Sequence, residues 1–302
     1  MRSIARIKRG QYIAALMGLF FALCCVEQAH AQNAFSEMEF DTTSYYVLTL
    51  NDGTQLTGKV IKVTETSLIF STNSIPSIDI PFENIKKIEE IDSLNIRSDG
   101  EYWFPNPSST RYFLSPTAFT LDRKEGYYQN TYLLFNSVNV GLMDFFSVGG
   151  GFEFLSTFGS GISPIFYLTP KIGGKVAKDF RLSGGVLMIN ADDFWLGTIY
   201  TVGTYGNTND NISVGLSWGF IDGEIADRPI YTLGGTKRIS RRVSLLTENY
   251  FFPDVEGNNS FHLYGFRFFG SKLSTDLGFL NNSDISDDLG IGVPYVGFAV
   301  KF

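Results

Sequence analysis

Six charged residues interrupt the apolar texture of the C-terminal two thirds of the chain: Glu153, Lys171, Lys175, Glu248, Arg267 and Asp276. Each falls on the small or polar side of an alternating segment. Charges withdrawn from bulk water persist only when paired or wetted. The six therefore suit either an ion-pair network or the lining of a narrow hydrated path. Hydrolysis would need a histidine base within reach of a serine. The chain has two histidines, and His30 belongs to the leader described below. That leaves His262, with Ser260 two residues away on the same strand face. Tyr264, Phe266 and Phe268 share that face, which fits an interfacial aromatic belt, so no enzyme activity is expected. The two cysteines, Cys24 and Cys25, and the two histidines exclude the usual zinc, iron–sulfur and thiol centres. No metal or other cofactor is expected. Gly149-Gly150-Gly151 and Gly184-Gly185 are not phosphate loops, because no helix follows to supply N–H donors.

The elements that must position these residues begin after a leader. Arg2, Arg6, Lys8 and Arg9 precede an apolar run from Tyr12 to Val26, and Ala29-His30-Ala31 follows. This is the layout of a secretory signal peptide, 1–31. The run is shorter than the roughly 20 residues that span a bilayer as a helix. The chain carries net charge −7, and loss of the basic leader makes it more acidic. An acidic exported chain is a poor nucleic-acid binder. Both cysteines leave with the leader, so stability must come from sheet closure and packing.

Residues 44–92 read as a small β unit. Tyr46 to Leu50 is a strand, Asn51-Asp52-Gly53 a hairpin turn, and Thr57 to Ile61 its return. Ser67–Phe70, Ile78–Ile80 and Ile85–Ile88 follow as strands. Asp52-Gly53, Gly58, Val60 and then Ile80-Pro81-Phe82 with Ile85 resemble small Sm-like or SH3-like barrels. The resemblance implies the fold and carries no ligand. A periplasmic docking module with a protein partner is expected. Residues 93–110 read as a linker, since Pro105-Asn106-Pro107-Ser108-Ser109 is rich in turn formers.

From Arg111 the chain alternates with period two. Ile212, Val214, Leu216, Trp218 and Phe220 oppose Ser213, Gly215, Ser217 and Gly219. Phe166, Leu168, Ile172 and Val176 oppose Thr169, Lys171, Gly173 and Lys175. The chain ends in a strand with Val296, Phe298, Val300 and the terminal Phe302 on one face. This resembles the C-terminal strand of Gram-negative outer-membrane β-barrels, which their assembly machinery reads. The resemblance covers 111–302. It implies an all-β, antiparallel transmembrane barrel in the outer membrane, in contact with outer-membrane lipid, with the N-terminal module in the periplasm.

The segments near 111–121, 127–140, 145–156, 164–176, 180–189, 195–206, 211–220, 229–237, 242–252, 260–269, 272–280 and 291–302 make about twelve strands, with ten or eight as alternatives. Short connections alternate with longer ones. The longer ones, 121–126 included, are rich in acid, and the short turns in base. An acidic mouth attracts cations, repels anions or shares divalent ions with lipopolysaccharide. Porin-like function, as a narrow channel or transporter for small polar solutes, is the leading expectation. A closed structural or interaction barrel is the alternative, and a lipid-modifying enzyme using His262 the remaining one.

Overall fold

The computed structural model describes residues 40–91, 93–97, 100–159, 163–253 and 259–302. The signal-peptide reading of 1–31 lies outside the described residues, as do the loop acids Asp254 and Glu256. The chain divides into two units, Met1–Tyr102 and Trp103–Phe302.

In the first unit, β1 (Tyr45–Leu50), β2 (Gln55–Val63), β3 (Ser67–Thr72), β4 (Ile78–Pro81) and β5 (Ile85–Ile91) form one antiparallel sheet in the order β4-β3-β2-β1-β5. The β1–β2 turn uses Gly53 at φ 87°, as the Asp-Gly signal implies. Leu48, Val60, Leu68 and Phe70 are the centre of its core.

The second unit is a closed barrel. Its strands are β6 (Gly126–Thr131), β7 (Phe135–Met143), β8 (Phe146–Glu153), β9 (Ile165–Ala177), β10 (Phe180–Ala191), β11 (Phe194–Gly206), β12 (Asp210–Ile221), β14 (Ile230–Ser240), β15 (Val243–Phe251), β16 (Ser260–Phe269), β17 (Leu273–Asn281) and β18 (Val293–Lys301). The two-residue β13 (Glu224–Ile225) folds back on the end of β12. Each strand is antiparallel to its neighbours in chain order, and β18 closes on β6 from Gly297↔Thr131 to Lys301↔Tyr127. The barrel therefore has twelve strands. Closure pairs both edges of every barrel strand, which a membrane requires because lipid offers no hydrogen bonds.

The strand number matches expectation through two compensating differences. Residues 111–121 form no strand. Residues 127–140 form two, β6 and β7, joined at Tyr132-Leu133-Leu134. That turn was hidden because its tip has no Gly, Asn or Asp. Tyr132 and Leu133 sit at φ 55° and 62°, a region L-residues with bulky side chains rarely adopt. Local bonds offset the strain. Asn130 Oδ1 accepts from the Leu133 N–H at 2.9 Å, and Asn136 Nδ2 donates to the Leu134 carbonyl at 2.9 Å. The Tyr132 ring packs edge-on to Tyr295 at 5.3 Å.

The connection 121–126 also changes ends. The Lys124 N–H donates to the Gly141 carbonyl, and the Arg123 N–H to Asp144 Oδ1 at 3.1 Å. It therefore lies beside the short β7–β8 turn and not among the long loops. Asp122 and Glu125 leave the acidic group with Arg123 and Lys124.

Alternation on the wall follows the sequence. Val214 is 60% exposed and its neighbour Ser213 only 3%. Phe166, Leu168, Ile172 and Val176 are exposed while Lys171 is buried. Apolar side chains facing out and polar ones facing in is the arrangement of a barrel set in lipid. Val296 and Val300 are on the outer face of β18, and the terminal Phe302 ring lies over Gly126.

Candidate functional site

The segment read as a linker and first strand runs inside the barrel. Phe104, Ser108, Thr110, Arg111, Tyr112 and Phe113 are all buried. It enters at the short-turn end, where Asn106 Nδ2 donates to the Thr208 carbonyl and Arg238 Nη1 to the Phe104 carbonyl, both at 3.1 Å. It leaves at the same end, where Thr120 Oγ1 donates to the Asp144 carbonyl at 2.8 Å. Between these points it folds as a finger. The Thr117 N–H donates to the Thr110 carbonyl and the Tyr112 N–H to the Ser115 carbonyl, each at 3.0 Å, so the tip is Phe113-Leu114. A Pro/Ser-rich composition reads as a linker, but here its backbone carbonyls are ligands for buried cations.

Four of the six expected inner charges hold this finger. Glu248 is fully buried, and its carboxylate accepts the N–H groups of Phe113, Leu114 and Ser115 at 2.9, 3.0 and 3.0 Å, plus the Tyr250 hydroxyl. Three consecutive N–H groups around one carboxylate make an anion cradle, with finger and wall supplying opposite partners. Arg267 forms a two-pronged pair with Asp276, Nε–Oδ1 at 2.6 Å and Nη2–Oδ2 at 3.0 Å. The same guanidinium donates to the carbonyls of Ser108 at 3.0 Å and Tyr112 at 2.7 Å. Lys171 Nζ donates to the carbonyls of Thr110 at 3.1 Å and Phe119 at 2.6 Å. The other two charges are elsewhere. Glu153 caps the short helix α1 (Phe154–Phe158), accepting from Leu155 and Ser156 N–H at 2.9 and 2.6 Å. Lys175 is exposed.

Several members were not expected. Arg111 donates Nη1 to Asp276 Oδ2 at 3.2 Å, so one carboxylate serves two guanidinium groups. The Tyr112 hydroxyl meets Asn211 Oδ1 at 2.6 Å and Ser213 Oγ at 2.7 Å. Thr204 Oγ1 accepts from the Ala118 N–H at 2.7 Å, and the Tyr295 hydroxyl donates to the Phe113 carbonyl at 2.9 Å. Arg238 stacks on Phe269 with its guanidinium carbon 3.7 Å from the ring centre. The available signal was Tyr and Arg adjoining a Pro-rich stretch, which no period could rank.

Inner-wall glycines make the room. A Cβ on Gly234 would come within 2.4 Å of the Tyr112 ring, and one on Gly278 within 3.1 Å of Phe113. Gly234→Val is expected to push Tyr112 off Ser213 without touching a charge. Such overpacking costs about 1–3 kcal/mol. Hydrogen exchange should accelerate at 110–117 while the wall strands keep their protection. Equal protection of the finger would show that the wall relaxes around the added side chain.

His262 lies on the lipid-facing side of β16, as its neighbours implied. Its Nδ1 meets Asn249 Oδ1 at 2.8 Å, and its ring packs edge-on to Phe251.

A closed antiparallel barrel with an apolar exterior and a hydrogen-bonded polar interior defines a class: the chain is an outer-membrane β-barrel protein. No described protein family and no curated protein matches the sequence. Three solved structures are similar at low identity. The KdgM porin in complex with disordered oligogalacturonate has TM-score 0.42 and 11% identity, over 59% of this chain and 98% of that one. The NanC porin has TM-score 0.37 and 7% identity, over 59% and 96%. OmpT, an outer membrane protein of Vibrio cholerae, has TM-score 0.30 and 9% identity, over 85% and 94%.

Proposed function

We propose that this protein is a narrow solute channel, closed at rest by its own finger. The observation that carries this is how the barrel is filled. The seal is one continuous chain segment, held by polar and charged wall groups and by one apolar cluster of Tyr112 and Phe113 with Leu246, Leu263 and Tyr295, not wall side chains meeting across the centre. With the finger withdrawn, Lys171, Ser183, Thr204, Ser213, Arg267 and Asp276 would line a wet path. Water would then replace the lost partners, at about 0.5–1.5 kcal/mol for each neutral hydrogen bond exchanged and about 1.5–3 kcal/mol for each bond to Glu248, Lys171 or Arg267. An apolar plug would have no such exchange. The orientation follows the class: short turns in the periplasm, long loops outside. The five-stranded unit precedes the finger in the chain, so it sits on the periplasmic side and serves as the handle by which a protein partner there draws the finger out. The barrel-assembly machinery, reading Val296, Phe298, Val300 and Phe302, inserts the chain.

Purified folded protein in a planar bilayer is expected to be silent. The same chain with 105–117 replaced by a Gly/Ser stretch of equal length should show discrete conductance steps. A boiled-versus-unboiled gel shift controls for folding. Silence from the folded variant would leave the second reading, a permanently closed interaction barrel, which the ten strands that hold the inner segment, β6, β9–β12 and β14–β18, favour.

A further inference from the structure

Beyond the finger tip the inner wall changes character. Tyr167, Ile189, Leu196 and Ile221 make one continuous cross-strand row, through Tyr167↔Ile189, Ile189↔Leu196 and Leu196↔Ile221. Ile165, Ala191 and Phe194 make a second row nearer the long-loop end. Their parity is that of Lys171, Ser183 and Thr204, which touch the finger, so both rows face the lumen. The residues between them, Phe166 and Trp195, face lipid, as do Leu168 and Ile199. The finger tip supplies the floor: Leu114 is 53% exposed between buried Phe113 and Ser115. Water-filled barrels have polar interiors. Here Thr169 and Thr198 are inward polar residues below the two rows, and the rows themselves are hydrophobic apart from the Tyr167 hydroxyl.

Charge stands directly over the apolar rows. Asp192 and Asp193 connect Ala191 to Phe194, and Asp222, Glu224 and Asp227 follow Ile221. Arg228 is the one base in that connection. Two of these acids are engaged locally: Asp222 Oδ1 accepts the Trp195 N–H at 2.8 Å, and Asp192 Oδ1 the Ser163 hydroxyl at 2.5 Å. Asp193, Glu224 and Asp227 complete the rim. An apolar concavity with a few charged groups at its edge takes a ligand with an apolar body and an oppositely charged head.

The geometry points to a binding site for a cationic amphiphile in the long-loop mouth of the barrel. The apolar part lies along Ile189 and Leu196 above Leu114, and the positive head meets Asp193, Glu224 and Asp227. The site needs no movement of the finger, so it stands or falls separately from the channel reading.

The test uses the full chain in phosphatidylcholine vesicles and a medium-chain alkyltrimethylammonium carrying a diazirine at the chain end. After photolysis, adducts are expected on Leu114, Leu187, Ile189 or Leu196, competed by the unlabelled ammonium. An alkyl sulfonate of the same length should mark only lipid-facing residues such as Leu168 and Ile199. The rim variant Asp193→Asn/Glu224→Gln/Asp227→Asn should cut inner-row labelling by about tenfold, since focused charge raises local counter-ion concentration by that order. These substitutions are in connections and leave the gel shift intact. Ile189→Asn/Leu196→Asn should abolish inner-row labelling in protein that keeps its gel shift. Cationic labelling confined to the lipid face overturns the site. Equal inner labelling by the sulfonate, or no effect of the rim variant, overturns the cationic assignment.

Discussion

Glu248→Gln should turn a silent barrel into a conducting one. The carboxylate meets donors alone: three finger N–H groups and the Tyr250 hydroxyl. An amide of the same shape keeps one acceptor oxygen and turns an NH2 against the remaining donors, so no cavity confuses the result. Hydrogen bonds to a charged group are worth about 1.5–3 kcal/mol each, and unmet buried donors add their own penalty. With every partner neutral, the sum over the weakened bonds is about 3–4 kcal/mol. At about 1.4 kcal/mol per factor of ten, exchange at Phe113, Leu114 and Ser115 should accelerate by two to three orders of magnitude. The same substitution at exposed Lys175, as Lys175→Gln, should change neither exchange nor conductance. Unchanged protection in Glu248→Gln would mean that the tip is held by its aromatic contacts, Phe113 on Tyr295 above all.

The wall was legible because lipid imposes a period. Val214 and Ser213 must face opposite media, so the sequence of β12 alternates from Asn211 to Phe220. Where the surroundings are mixed, the period carries less. The finger meets both polar wall groups and the Leu246, Leu263 and Tyr295 cluster and has no lipid face, so 111–121 shows no outward apolar row that would betray its place. Its alternation of Tyr112, Leu114 and Pro116 imitates a strand. Glu248, Arg267, Asp276 and Lys171 were legible as inner charges, since a charge on a barrel strand has only one tolerable side. Their partners were not. Three of the four bind backbone carbonyls or N–H groups of the finger, and every residue offers those identically. Glu153 carries a local role that alternation does not reveal: a carboxylate at a strand end can cap the next helix as well as line a lumen. The inward apolar residues of β10 above the finger were present in the sequence as Leu187 and Ile189. The inner face there is as apolar as the outer one, Val186 and Met188, so alternation by hydrophobicity vanishes.

The Arg111–Asp276–Arg267 triad separates what holds the finger from what holds the wall. Arg267 pairs with Asp276 across β16 and β17, and both also reach the finger. Asp276→Asn should be the most damaging single change. It leaves two guanidinium groups facing each other without a counter-charge, at about 3–5 kcal/mol. The gel-shift temperature should fall along with finger protection. Arg267→Met/Asp276→Leu with Arg111→Met removes every charge at once. Buried triads replaced by apolar residues of similar size are often neutral or stabilising, so the wall should recover its melting temperature. The finger should not recover. The Ser108 and Tyr112 carbonyls lose their donor, and no apolar side chain can replace it. A stable barrel with fast exchange at 108–115 and open conductance would show that the triad exists to seat the finger. If the triple variant keeps the finger protected, the triad serves the wall, and the seal rests on Glu248 and Lys171.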